Sequence, residues 1–279
     1  MAGRARELTR LWSKYAGMNL LTLIRSRRSA AIEIGTDVVL NVAVVSSLLL
    51  AQRFNGIGQW DKYQIFFMLG YAMTVNGALN IFFGYNLRMI SRRIGRGQLD
   101  HMLLQPQPFW RTFITEGFMP FSEPSVLVIA GAFMGWSTAH LPAGVTALWV
   151  IALVANLIAS GGIVMAFQVI WGAIAFWAPM SAEEISSSTN RMVLQLGTLP
   201  LNAVATGLQA TLVTVVPVGL TAWLPARELA GPGGPGLGAL ATPLAAPVFL
   251  ILAVLTFRRG LAHYAEIGSQ RYLSFGHRR

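Results

Sequence analysis

Residues 145–177 read VTALWVIALVANLIASGGIVMAFQVIWGAIAFW, an apolar run without one charged side chain. A helix needs about 20 such residues to cross the roughly 30 Å of hydrocarbon in a bilayer. In that solvent every backbone amide must be satisfied within the segment, which a helix achieves. The run therefore reads as a membrane-spanning helix. It is longer than one perpendicular crossing requires. Tilting, projection into the cytoplasm and a break near Gly161-Gly162 are three ways to use the excess.

The rest of the chain repeats the pattern. Of 279 residues, 54% are apolar and only 11% are charged, less than half the roughly 25% of a soluble domain. Working outward from the fourth span at Val145 to Trp177, six spans are expected. The first runs from Ala30 to Ala51 and the second from Gln64 to Met89. The third runs from Phe118 to Ala139, the fifth from Leu199 to Trp223 and the sixth from Leu240 to Phe257. No soluble domain of appreciable size fits between them, so residues 1–279 read as a single all-α transmembrane domain with a tail from 258 to 279.

Charge sets the orientation. Lys and Arg number 21, and with the N-terminus inside they fall 18 on the cytoplasmic side and 3 outside. That is a strong positive-inside bias and holds both termini in the cytoplasm. The net charge of +10 suits anionic headgroups, and no basic stretch carries a nucleic-acid-binding motif. Residues 1–28 carry seven basic residues and no central apolar run, so no cleavable signal is expected there. Within them, residues 4–24 place Leu8, Leu11, Trp12, Tyr15 and Met18 on one helix face, with Arg6, Arg10 and Lys14 opposite. This reads as a helix lying in the membrane interface in preference to one packed on protein.

Several chemistries are excluded. Without cysteine there is no disulfide or thiol catalysis. The only lysines, Lys14 and Lys62, lie outside any Gly-rich phosphate loop, so ATP-driven work would need another chain. His101, His140, His263 and His277 are scattered without ligand spacing, and no metal site is expected.

The informative cytoplasmic stretch runs from Arg88 to Trp110. Gly95 and Gly97 interrupt the preceding helix, and Pro106 and Pro108 close the segment. Between these breakers Leu99, Met102 and Leu103 make a short apolar face. Such a helix can press into a groove on a partner or lie on lipid, and the pattern leaves both open. A capping box at Ser181 and Glu184 predicts another helix over 181–195.

Polar residues inside the spans are the remaining candidates. Glu33 and Asp37 lie a turn apart near the inner end of the first span. They read as an inner gate or a site for cations, or, preferably, as ion-pair partners of Arg25, Arg27 or Arg28. Glu116 and Glu123 read as partners for Arg88, Arg92, Arg93 or Arg111. Asn76 and Asn80 share one face of the second span and line a pathway or bond between helices. Thr206, Gln209, Thr211 and Thr214 make the fifth span similarly polar, and Gly131 and Gly135 permit close packing on the third.

The string Gly97, Leu99, Asp100, Leu103, Pro106 resembles the loop between helices two and three of six-helix type-2 ABC-type exporter permeases. Leu199-Pro200, Pro217 and Trp223-Leu224-Pro225-Ala226 resemble that family's fifth helix and its exit. Arg259-Gly260-Leu261, Tyr264 and Gly268-Ser269 resemble its closing motif. The likeness spans roughly residues 20–270, with Gln105 standing where a basic residue is expected. It implies a half-transporter in a bacterial cytoplasmic membrane, paired with an identical or paralogous permease. Two separate ABC ATPase subunits, carrying ATP and Mg, would dock below. The resemblance makes residues 97–104 the coupling helix, with Gly97, Leu99, Asp100, His101, Leu103 and Leu104 at the docking site. Leu99 and Leu103 would fill the ATPase groove and Asp100 would meet a basic residue there. The cargo would be a drug, antibiotic or lipid-like metabolite. An ion-coupled transporter using Glu33 and Asp37, and a non-transporting scaffold or enzyme, are the rival readings.

Overall fold

The computed structural model describes residues 2–26, 60–88, 90–95, 97–106, 117–121, 124–142, 144–198 and 200–267, with isolated positions between 28 and 46 and at 111 and 115. The regular elements among the described residues are all helical. The predicted first span lies largely outside the described residues, as do Glu33, Asp37, Glu116 and Glu123.

Helix α1 covers Ala2–Arg25 and α2 covers Lys62–Arg88, with α3 at Ile90–Gly95 and α4 at Gln98–Leu103. Next come α5, Pro124–Thr138, and α6, Ala147–Ala173, which tightens into a 3-10 turn at Ile174–Phe176. Then come α7 at Pro179–Leu196, α8 at Thr206–Thr214, α9 at Leu224–Leu229 and α10 at Ala241–Ile267. Among the described residues, three helical stretches are long and apolar enough to cross a membrane: Lys62–Gly84, Ala147–Phe176 and Leu237–Ile267. A bent pair makes a fourth if it is counted as one span.

The long apolar run behaves as its composition requires. Thr146 caps α6 by accepting the Trp149 amide at 3.1 Å. The helix then passes Gly161-Gly162 without a break. Its surplus length carries it to Phe176, where it packs against α3 and α10.

Two predicted spans differ from expectation. The third is a 15-residue helix starting at Pro124 and not at Phe118, about 22 Å long at 1.5 Å per residue. The fifth is not one rod from Leu199 to Trp223. Helix α8 and the segment Gly219–Leu229 meet at 82°. Pro217 lies at this bend, and without an N–H it cannot continue the helical ladder. The chain resumes as a π-helix at Gly219–Trp223, fully buried, before α9. The Trp223 indole N–H donates to Asn202 Oδ1 at 2.8 Å and ties this segment to the turn that precedes α8.

The folded-back arm is strapped to the N-terminal end of α6. The Trp149 indole donates to the Leu229 carbonyl at 2.8 Å, and the Asn156 amide donates to the Ala239 carbonyl at 2.9 Å. Tyr71 on α2 and Ser160 on α6 share a buried hydroxyl–hydroxyl bond of 2.8 Å. These bonds give partners to polar groups that would be costly to bury bare. Around them pack Phe67, Met68, Leu201, Val218 and Trp223.

Helix α1 meets the rest of the protein through Trp12, whose ring lies 6.0 Å from Phe82 and 5.7 Å from Phe118. Arg111 pairs with Glu7 at 3.1 Å. Part of the apolar face of α1 is thus on protein, while Met18, Leu21 and Ile24 are exposed.

Candidate functional site

Two features stand out at the end of α6 away from its cap: a short lever and a polar cleft beside a broken helix.

The lever is α4. Gly97 precedes it in the left-handed region, at φ 69°, a conformation glycine reaches without steric cost. Its amide donates to the Ile94 carbonyl at 3.0 Å and closes α3. One turn of helix then splits its side chains between two faces. Leu99 is 2% exposed and Met102 4%. Both join a cluster with Ile90, Ile94, Phe176, Phe257 and Tyr264. Burying a leucine this fully stabilises by about 1.5–3 kcal/mol. Asp100 accepts a 2.6 Å hydrogen bond from the Tyr264 hydroxyl near the end of α10. Opposite, His101 is exposed, Leu103 is 43% exposed and Leu104 84%.

This geometry changes the expected roles. The family resemblance assigns Leu99 to a partner's groove, but its side chain is sealed inside its own chain. The same resemblance gives Asp100 a basic partner, and the structure has it held by Tyr264. His101, Leu103 and Leu104 remain on the open face. The partner of Asp100 lies 164 positions away. Tyr264 is legible as a residue of the closing motif, but nothing in its spacing names the residue it meets.

The cleft forms where α2 breaks. Gly84 has φ 42° and ψ −131° inside an otherwise helical stretch. The break frees the Ile81 carbonyl, and the Met119 amide claims it at 2.9 Å. A Cβ on Gly84 would lie 2.6 Å from the Gly117 carbonyl oxygen, so the backbones touch here. Beside the break is a narrow polar cleft of about 10 Å³, room for a single water. Asn76, Leu79 and Asn80 of α2 line one wall, Gln168 of α6 another, and Asn190 and Leu194 of α7 the third. The Gln168 amide donates to Asn190 Oδ1 at 2.7 Å, and the Asn76 amide donates to the Ala72 carbonyl at 2.9 Å.

The sequence places Asn76 and Asn80 on one face, and the structure brings both to the cleft. It adds Gln168 and Asn190, which sequence reasoning passes over. Gln168 has a visible signal, since it and Asn156 are the two amides within residues 145–177. Thr206 and Gln209 do not join them. They lie on α8, where Thr206 is exposed. Arg92 reaches Glu183 of α7 at 3.4 Å; Glu116 and Glu123, the acids named for it from sequence, lie outside the described residues.

No curated protein matches the chain, and no solved structure does. A family model described as "ABC-2 family transporter protein" matches residues 38–268.

Proposed function

The chain belongs to the ABC-2 transporter family and is an ABC-type membrane permease, and from that premise we propose that it is the permease subunit of an ATP-driven exporter. Its cargo is a hydrophobic or amphiphilic small molecule taken from the cytoplasm or inner leaflet. ATP and Mg are held by two copies of a separate ABC ATPase, and a second permease, identical or paralogous, completes the pathway. The complex sits in a bacterial cytoplasmic membrane through six spans, with both termini in the cytoplasm.

The observation that carries this reading is the two-faced lever. Leu99 and Met102 root it in the protein while Leu103 and Leu104 are left to solvent. A helix anchored on one side and apolar on the other is suited to receive a push from a docked partner. Leu103, Leu104 and His101 meet the ATPase. ATP binding closes the ATPase pair and displaces the lever. The force passes through Leu99 and Met102 to the Phe176 turn, and through Asp100 to Tyr264 on α10. The permease then alternates between two states of different cargo affinity, biased by nucleotide.

The test is co-purification from cells expressing this chain with its ATPase. Leu103→Asp with Leu104→Asp should release the ATPase while the permease still inserts and melts normally. Undiminished co-purification would overturn the docking assignment. Transport by reconstituted permease under an ion gradient, without nucleotide, would instead favour ion coupling.

A further inference from the structure

Helix α7 has two unlike sides. On one, Ala182 and Val193 are buried in separate apolar clusters of the protein, and Asn190 takes the Gln168 amide at 2.7 Å. The other side lines an open groove of about 350 Å³, within the roughly 300–1,000 Å³ typical of ligand sites. Its lining is Ser188, Arg191, Met192, Gln195 and Leu196. These fall at i, i+3, i+4, i+7 and i+8, so they form one continuous stripe along the helix. Among the described residues, Arg191 is the one ionisable side chain of the lining.

Arg191 is poised to meet an anion. A guanidinium is a planar fork of N–H donors that fits carboxylate, sulfate and phosphate oxygens. Its Nη2 lies 3.4 Å from Ser188 Oγ and 3.8 Å from Glu184 Oε1. The second distance is long, and the two side chains are 65% and 81% exposed. Solvent screens such a pair, so an arriving anion displaces Glu184 at little cost. The neighbouring acid, Glu183, is turned to Arg92 at 3.4 Å.

The stripe is also graded. Ser188 and Arg191 come first, and Met192 and Leu196 follow toward α8, one arm of the bent apolar pair. An amphiphile fits this order, with its charged head on Arg191 and Ser188 and its tail along Met192 and Leu196. Gln195, beside them, donates and accepts hydrogen bonds.

We propose that the α7 groove binds the negatively charged head group of an amphiphile, with Arg191 as the anion ligand. That the groove opens toward the inner leaflet, and that its occupant is cargo, rests on the permease reading above; the selection for anions does not.

The experiment uses the full chain in nanodiscs of zwitterionic lipid, without ATPase or nucleotide. Photoreactive probes share one dodecyl tail and carry a sulfate, a trimethylammonium or a glucose head. At submicellar concentration the sulfate probe should label α7 peptides covering 188–196 in preference to the other two. Arg191→Gln should cut that labelling about tenfold, the effect of one lost charge-assisted hydrogen bond, and Arg191→Lys should restore part of it. Glu184→Gln, which removes the competing carboxylate, should raise it. Equal labelling by the sulfate and trimethylammonium heads, or sulfate labelling indifferent to both Arg191→Gln and Glu184→Gln, would overturn the inference. Adding phosphatidylglycerol to the nanodiscs identifies the source of the anion: strong competition marks a bilayer lipid and weak competition a scarcer amphiphile, both within the proposed class. No ATPase takes part, so failure here leaves the docking assignment standing, and failed docking leaves anion selection intact.

Discussion

At Gly260 a methyl group would land on the Phe176 ring, which lies edge-on to Phe257 at 5.3 Å and to Tyr264 at 5.8 Å. Gly172 is pressed in the same way by Ile90. Overpacking of this kind costs about 1–3 kcal/mol, so Gly260→Ala and Gly172→Ala should each lower the melting temperature in detergent. Gly131→Ala should not, because among the described residues nothing lies within 4 Å of the position its Cβ would take. The sequence points to Gly131 and Gly135 as packing glycines, and among the described residues nothing lies within 4 Å of a Cβ at either. Their spacing identifies a smooth face but not what lies against it. The tight approach on α5 belongs to Gly70 of α2, against Met134 and Ala130. Tyr264→Phe removes only an oxygen. It should cost about 1.5–3 kcal/mol, as expected for a bond to a charged acceptor. Amide hydrogen exchange over residues 97–104 should rise, and an unchanged exchange pattern there would mean that Tyr264 does not steady the lever.

Whole elements obey composition more closely than they obey length. The apolar run of α6 is legible because only a helix suits lipid, and the structure answers the question of its surplus: the helix stays unbroken through Gly161-Gly162 and reaches Phe176. The amphipathic segment between Gly97 and Pro106 is legible from three apolar residues and two breakers. Its facing is not, because a single turn of helix has no long pattern to say which side meets protein. Leu99→Asp now serves as the discriminating substitution. It places a carboxylate among Phe176, Phe257 and Tyr264 and should destabilise the whole protein by several kcal/mol. Leu104→Asp, on the exposed side, should leave melting unchanged. Equal melting temperatures for the two variants would contradict the burial of Leu99. The fifth span shows the opposite failure. Pro217 is visible, but hydrophobicity across residues 199–223 conceals that the chain turns by 82° there. The π-helix beyond it is secured by Asn202 and Trp223, a contact no local pattern predicts.

For the molecule as a whole, the distribution of Arg and Lys makes the clearest statement. The chain contains no cysteine, so single cysteines can report sidedness without a prior removal step. A cysteine at His101 should react only with reagent supplied from the cytoplasmic side, and one at Gly233 only with reagent from outside. Labelling of His101→Cys from outside would place the lever beyond reach of any cytosolic ATPase. The helices also leave much of their apolar surface uncovered. In the most apolar window of the α10 span only 22% is buried by the rest of the chain, and Leu244, Val248, Ile251 and Leu255 are exposed. Lipid is the solvent that this surface requires.

The bond between Asp100 and Tyr264 joins residues 164 positions apart. Ribosomes add about 5–20 residues each second, so roughly 8–33 s pass between synthesis of the two partners. During that interval α4 exists without its tether. On the docking proposed above, a polypeptide lacking Tyr264 would present α4 without the hydrogen bond to Asp100. The hydrogen bond that steadies α4 from the far end of the chain is therefore completed only after α10 has been made.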